Sequence, residues 1–369
     1  MTRAKTPPAD RPRRLPRRSL AGLGLAALLL LLAHGIAWRW MTGALAEGFT
    51  DWTTMRRAQG WQVDHALPRR GGWPFAARLT VPGLTVSGRS ALLPDGFALD
   101  SPGLVLEVAP PRLDRLVLRP QGEQRIRLGQ VEIPLAADRL EVLLALEPGL
   151  PPRGLDALAE GLRATTPDGP LAARRVTLSA RTAAAEAEPA VTLDLLAEGL
   201  LLPPGAAPPA QAAFGRHLEE ARLRAALTGP LVPHVSPIAA AAAWRDAGGV
   251  LDLQRVAVRW GALTGEARMA LALDSALQPA GTGLLRLADA PAALEAMAVA
   301  GVIPRNTARA AQGVALLTAR VPEGGGPPWV ELPLALGNGT LAAARIPLLR
   351  LAPIAWPGPA MQPAPPCGR

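Results

Sequence analysis

The sequence predicts a mainly β protein with some α-helix, in which an N-terminal transmembrane helix precedes a large antiparallel, curved β-sheet domain with short interspersed helices. Three observations support this fold class: an uncharged apolar run near the N-terminus, apolar residues at every second position downstream, and Gly or Pro breaking these runs every ten or so residues. Alternation with a period of two is typical of strands with one apolar and one wet face, and the regular breaks are typical of antiparallel meanders.

The apolar run covers Leu20 to Trp38, nineteen residues without a charge, in which His34 is the only strongly polar side chain. A helix of about 20 apolar residues spans the roughly 30 Å hydrocarbon core of a bilayer. Tryptophans at the far end favour the headgroup layer. The predicted anchor, residues 20–40, is marked by Leu20, Leu28, Leu32, Trp38 and Trp40.

Basic residues dominate the segment before the anchor, which we interpret as a cytoplasmic tail over residues 1–19. The positive-inside rule then places everything after Trp40 outside the cytoplasm. A cleaved signal peptide ending near Ala44-Leu45-Ala46 is an alternative, and Arg17-Arg18-Ser19-Leu20 approaches the twin-arginine export pattern. A buried helix of a soluble protein is the third possibility.

The net charge of +9 first suggests nucleic-acid binding, but its distribution argues against it. Seven basic residues and one acidic residue lie before Ser19, which leaves 32 basic against 29 acidic residues in the remaining 351. This near-neutral remainder has no basic cluster of the kind that tracks phosphates. The single cysteine, Cys367, lies in a Pro-rich tail over residues 353–369 and cannot form an internal disulfide.

After the anchor, residues 41–60 keep helical spacing of apolar side chains and predict a juxtamembrane helix, either packed on the exported domain or lying on the membrane. The β-rich region divides into residues 73–203 and 210–352, with the Pro203–Pro209 loop as a candidate boundary. The alternation is clearest from Leu263 to Asp274.

Several short segments predict helices or turns within the sheet. Leu155, Leu158 and Leu162 share a helical face, and Ser236 precedes Pro237 at the start of an alanine-rich segment that ends at Asp246. Further predictions are an Asp289 cap on a helix over 290–300, a helix over 306–320, and a tight hairpin at Asn338-Gly339.

The sequence contains no strong catalytic or metal-binding motif. The four histidines are scattered, and neither a Gly-x-Ser-x-Gly motif nor a phosphate loop occurs. His217, Glu219 and Glu220 could hold a metal, and three aspartates near strand ends could form a carboxylate cluster, but solvated strand ends and turns explain them more simply. Those aspartates are Asp252, Asp274 and Asp289. The sequence therefore predicts a protein without cofactor or metal that is not an enzyme.

The apolar face of the sheet is the remaining candidate for a function. Alternation alone cannot decide whether this face is closed by another layer or open to a ligand. Trp244, Trp260 and Trp329 could fill a core or line a groove. The predicted groove consists of Trp260, Leu263, Met269, Leu271 and Leu273.

Short motifs along nearly the whole chain resemble a family of proteobacterial envelope proteins, the domain-of-unknown-function family numbered twenty-one twenty-five. In order, they are Gly72-Trp73-Pro74-Phe75, Gly248-Gly249-Val250-Leu251-Asp252-Leu253, Trp260-Gly261-Ala262-Leu263, Leu273-Asp274 with Gly281, Gly337-Asn338-Gly339-Thr340-Leu341, and Arg345-Ile346-Pro347-Leu348. The Trp260-Gly261 strand and the terminal hairpin also resemble the broader AsmA-like group.

These resemblances imply a bacterial inner-membrane protein with a cytoplasmic N-terminus, a periplasmic C-terminal domain and a groove that shields acyl chains. The implied partners are the membrane, a phospholipid or other acyl-chain ligand, and other envelope proteins, with no nucleic acid. Binding or transferring lipid, or supporting envelope assembly, is the expected role. The rival is a non-enzymatic scaffold whose closed sheet docks other envelope proteins.

Overall fold

The computed structural model confirms the predicted fold class, with 51% of residues in strands and 26% in helices. It describes residues 17–89, 95–147, 152–182, 189–230, 236–320, 328–344 and 346–356. Most of the predicted cytoplasmic tail and most of the Pro-rich tail, including Cys367, lie outside these residues.

Five helices and eighteen strands are present in the described residues. The helices are α1 (Arg17–Ala58), α2 (Pro208–Phe214), α3 (Pro237–Asp246), α4 (Ala290–Val299) and α5 (Arg305–Thr318). The strands are β1 (Gln62–Asp64), β2 (Arg69–Gly71), β3 (Ala77–Gly88), β4 (Phe97–Ala109), β5 (Arg112–Gln121), β6 (Gln124–Leu128), β7 (Val131–Ala136), β8 (Arg139–Ala145), β9 (Gly154–Thr166), β10 (Gly169–Thr182), β11 (Val191–Leu201), β12 (His217–Leu227), β13 (Leu251–Trp260), β14 (Leu263–Leu273), β15 (Pro279–Ala288), β16 (Trp329–Gly337), β17 (Thr340–Ala343) and β18 (Ile346–Arg350).

Helix α1 contains both the predicted anchor and the predicted juxtamembrane helix without a break. Its 42 residues extend for about 63 Å at 1.5 Å per residue. From residue 22 to residue 37 most side chains are exposed, and the helix is long and apolar enough to cross a membrane. The C-terminal half packs on the sheet through Thr42, Phe49 and Thr53, all of which are buried. One continuous helix therefore connects the predicted membrane anchor directly to the β domain.

All strands belong to one antiparallel sheet. Strand β3 pairs with β4, which bends so that Phe97–Asp100 pair with β6 and Gly103–Ala109 with β5. The two branches rejoin at β9, which pairs with both β7 and β8. From β9 onward each strand pairs with the next in the chain as far as β18. Strand pairing continues across the Pro203–Pro209 loop, since β11 pairs with β12.

The two faces of the sheet differ in chemistry, as the alternation predicts. On one face, Leu79 lies opposite Leu106, which lies opposite Leu118. On the other face, Arg78 lies opposite Glu107, and ion pairs continue through Arg119 to Glu141. The C-terminal half of α1 packs on the apolar face of the sheet at β3, and Phe49, Leu79 and Leu106 belong to this core.

Most of the short elements agree with the sequence predictions. The hydroxyl of Ser236 accepts from the Ala239 amide at the start of α3, and α5 confirms the helix expected over 306–320. Asn338 and Gly339 both have positive φ, as a type I′ hairpin between β16 and β17 requires.

Two local predictions are wrong. Leu155, Leu158 and Leu162 lie in strand β9, because pairing with β8 and β10 on both sides outweighs helical spacing. Helix α4 exists, but the Asp289 side chain makes no capping hydrogen bond; Asp289 itself is in the left-handed conformation at the N-cap position.

The ion pairs of the polar face predict a pH-dependent contribution to stability. Partial burial alone would raise the pKa of Glu107, but hydrogen bonds and charges from Arg78 and Arg119 outweigh this effect and lower it. The Arg78 Nη2–Glu107 Oε2 distance is 2.6 Å, and the Arg119 Nη1–Glu107 Oε1 distance is 3.0 Å. A carboxylate whose pKa is lowered by folding stabilises the protein above its unfolded pKa, about 4.3, and loses this contribution as pH falls through the lower folded value.

We therefore expect Glu107→Gln to lower the free energy of unfolding by about 1–2 kcal/mol at neutral pH. Urea titrations of the full chain between neutral pH and pH 3 would measure the difference from the wild type, which should shrink below about pH 4.3. The exposed Asp114, which makes no ion pair among the described residues, provides the control variant Asp114→Asn. A difference for Glu107→Gln that is independent of pH would contradict the assignment.

Candidate functional site

An apolar cavity lies between the C-terminal half of α1 and the sheet. It is a cavity of about 620 Å³, within the range of small-molecule sites. From α1 it is lined by Trp40, Met41, Ala44, Leu45, Gly48, Phe49 and Trp52. From the sheet and its turns it is lined by Leu84, Leu104, Leu106, Val108, Leu113, Leu116, Leu118, Leu144, Leu146 and Pro152.

The sequence of α1 explains why a space remains here. Met41, Leu45, Gly48 and Trp52 follow each other at helical spacing and face the cavity together. The side of α1 that carries Thr42 and Phe49 is buried against β3. An added Cβ at Gly48 would meet no atom within 4 Å, so the glycine leaves room that another residue would occupy. The helix is therefore close to β3 and separated from β5 and β8.

The walls of the cavity are suited to a hydrocarbon guest. Every lining side chain is aliphatic or aromatic apart from the thioether of Met41, and only the indole N–H groups of Trp40 and Trp52 are polar. No ionisable side chain of the described residues lines it. Burial of an acyl chain contributes about 0.8 kcal/mol per CH₂ transferred from water. None of the side chains that line the cavity can transfer a proton at neutral pH or bind a metal ion strongly.

The apolar face of the sheet continues beyond the cavity. Val142 on β8 leads through Ala157 and Leu178 to Leu195 on β11, since each lies opposite the next. These side chains are half-buried. Among the described helices, α1 contacts β1–β3, while α3, α4 and α5 contact β14 or β16. The central strands β8–β13 therefore present their apolar side chains with little cover from any helix in the described chain.

Part of the cavity lining lies at the end of the domain nearest the anchor. The indole nitrogen of Trp38 donates to the Ala76 carbonyl at 2.9 Å, which places the start of β3 beside the anchor. Ala77 lies opposite Val108, so the turn between β4 and β5 is at the same end. Two lining residues near this end are exposed, Trp40 at 72% and Leu113 at 51%. The lining is therefore exposed at the end of the domain next to the apolar half of α1.

The groove predicted from the sequence lies elsewhere on the same sheet. Met269 is buried in a cluster with Leu334 and Leu336, and Leu271 packs against that cluster. Leu263 and Leu273 are half-buried on the same face of β14. Trp260 is buried, stacks on Phe214 and donates to the Gly215 carbonyl at 2.8 Å. These five residues share the apolar face but do not line the cavity beside α1.

The predicted anchor residues lie along α1. Leu28 and Leu32 are exposed, as expected of side chains that face lipid, and so is Trp40. Trp38 instead turns toward the β domain. Leu20 lies within α1, and its side chain is outside the described set.

The polar candidates have structural partners. Glu219 accepts from the Gly261 amide, and Glu220 pairs with Arg259 at 3.4 Å. Asp274 accepts from the amides of Ala276 and Gln278 in a turn. No group of three His, Cys, Asp or Glu side chains that could hold a metal occurs among the described residues, which exclude His234.

The tryptophans considered for the groove also have structural roles. Trp244 donates to the Thr228 carbonyl at 2.7 Å and packs so tightly on Gly249 that a Cβ there would overlap the indole. Trp329 lies beneath the guanidinium groups of Arg286 and Arg320. Both occupy positions away from the cavity beside α1.

The cavity was missed because it joins segments far apart in the chain. The helical spacing of Leu45 and Phe49 and the alternation of Leu104 and Leu106 were visible separately. Their meeting across a gap depends on how α1 is oriented on the sheet. The one local feature that indicated a gap beside the helix was Gly48, a glycine on an otherwise apolar helix face.

The fold and the cavity define a class: a membrane-anchored β-sheet protein with an apolar groove next to its anchor. The chain belongs to a bacterial family described as "Uncharacterized protein conserved in bacteria (DUF2125)", whose model matches residues 38–352. The match confirms the family resemblance inferred from the short motifs. No curated protein shows significant similarity to the chain, and no solved structure does.

Proposed function

We propose that this protein binds the acyl chain of a membrane lipid in the cavity between α1 and strands β4, β5 and β8. The observation that carries the proposal is the predominantly apolar lining of a cavity of about 620 Å³, with the exposed lining residues Trp40 and Leu113 at the end of the domain beside the anchor. An apolar ligand that reaches this opening from the bilayer does not have to cross water.

The open apolar face of β8–β13 extends the proposal from binding to transfer. A chain held beside α1 could continue along half-buried side chains such as Val142, Leu178 and Leu195. The basic segment before α1 supports an orientation with the β domain in the periplasm. The protein would then hold or hand on lipid at the outer side of the inner membrane, in support of envelope assembly.

Photo-crosslinking tests the binding step. The full chain is reconstituted into phosphatidylcholine–phosphatidylglycerol vesicles that contain a phospholipid with a diazirine midway along one acyl chain. We expect labelled peptides from β5 and from Leu144 on β8, in addition to the anchor. Peptides of α5 are the internal control, because this helix packs on α4 and β16.

The same experiment separates the proposal from its rival, a scaffold that docks other envelope proteins. Labels confined to the Leu20–Trp38 segment would show that lipid surrounds the anchor without entering the cavity, and this would contradict the proposal. Labels on β5 that are competed by unmodified phospholipid would support it.

A further inference from the structure

The loop before β3 makes a second close contact with the anchor. His34 Nε2 lies 2.7 Å from the Pro74 carbonyl oxygen, and the Trp38 indole donates to the Ala76 carbonyl at 2.9 Å. The Trp73 ring lies 4.8 Å from that of His34, and its edge is next to Gly35. The Gly72–Ala76 segment is therefore attached to α1 at the level of residues 34–38.

This level lies inside the apolar segment of α1. If the loop were held in water above the bilayer, residues 34–38 would also be outside it. Only the fourteen residues from Leu20 to Ala33 would then remain in the hydrocarbon, a length of about 21 Å. A typical hydrocarbon core is about 30 Å thick. The length of the anchor therefore requires the loop to lie at or below the membrane surface.

The exposed side chains around the loop have the chemistry of a membrane-facing surface. Phe75 is 83% exposed, and Trp73 is also exposed. Aromatic residues at this depth favour the interfacial layer. Trp73 and Phe75 therefore form an exposed aromatic surface directly beside the apolar segment of α1.

Cationic side chains adjoin this apolar surface. Arg39 on α1 and Arg69 and Arg70 on β2 are exposed, and none of the three makes an ion pair among the described residues. A basic residue near an anionic membrane surface contributes about 1 kcal/mol to binding. Apolar side chains next to free guanidinium groups match the acyl and phosphate layers of a bilayer.

We infer that the Gly72–Ala76 loop forms a membrane-inserted wedge, which immerses Phe75 and Trp73 in the outer leaflet beside α1. The β domain is then attached to the bilayer both through α1 and through this loop, which restricts its rotation about the helix axis. This inference concerns the bilayer surface and does not depend on whether the cavity holds a lipid.

Spin-label accessibility tests the wedge in the full chain. Because Cys367 is the only cysteine, Cys367→Ser provides a background for single labels. The labelled variants are Phe75→Cys in the loop, Ile36→Cys on the exposed face of the anchor, and Leu317→Cys on α5. Leu317 is 89% exposed and belongs to a helix that does not pack on α1, so it is a matched control for an exposed apolar side chain.

The vesicles are phosphatidylcholine with phosphatidylglycerol, and collisions with oxygen are compared with those of a water-soluble nickel chelate. We expect oxygen to dominate at positions 36 and 75 and the chelate to dominate at position 317, with ratios that differ several-fold. A nickel-accessible label at position 75 would overturn the inference whether position 36 is immersed or not. The result is independent of lipid labelling at β5, so the wedge and the cavity can fail separately.

Discussion

Gly48→Leu is expected to weaken lipid binding in the cavity by about 30-fold while leaving the fold intact. Gly48 faces the cavity from α1, and a new Cβ there meets no atom within 4 Å. A leucine would take the place of two to three methylene groups of the guest, a loss of about 2 kcal/mol at 0.8 kcal/mol each. The measurement is the concentration dependence of acyl-chain crosslinking to β5.

Gly43→Leu is the matched control for this variant. Gly43 also lies within α1 and has open space around its Cβ, but it does not line the cavity. Each substitution replaces a helical glycine and should stabilise α1 by about 0.8 kcal/mol through backbone propensity. Equal crosslinking in Gly48→Leu and Gly43→Leu would contradict lipid binding in the cavity. Both variants gain the same helix stability, so a difference in stability could not hide an effect of the leucine at position 48.

Leu79→Ala is expected to lower the free energy of unfolding by about 2–5 kcal/mol, the usual cost of such a truncation in a close-packed core. Leu79 is 1% exposed and packs with Phe49 of α1 and Leu106 of β4. It therefore lies where the anchor helix meets the sheet. Urea unfolding of the full chain in one detergent, followed by circular dichroism, measures the loss.

Leu317→Ala should change the same free energy by no more than about 0.5 kcal/mol, because Leu317 is exposed on α5. Hydrogen exchange adds a local readout. In Leu79→Ala, amides of α1 after Thr42 should exchange faster, since their packing surface is weakened. Equal costs for the two truncations would show that α1 is not held by the core as described.

The individual elements were predictable where the local pattern was strong. Alternation identified β14, and Ser236 followed by Pro237 identified the start of α3. The leucines of β9 imitate helical spacing, and the error there arose because strand pairing on both sides outweighs local periodicity. The residues predicted for a groove around Met269 lie on the apolar face of the sheet but away from the cavity beside α1, because alternation identifies the face of a strand and not the element that packs on it.

By itself, the sequence determined an apolar anchor segment, a sheet with one apolar and one charged face, and the family to which the chain belongs. Those properties depend on side-chain type and on periods of 3.6 and two residues, which are local in the chain. Only the tertiary structure decided that the anchor and the juxtamembrane helix form one continuous helix. It also decided that this helix is separated from β5 at Gly48 and that the Trp73 loop lies beside His34. These features depend on the angle at which α1 packs on β3, and that angle is set by contacts between residues distant in sequence.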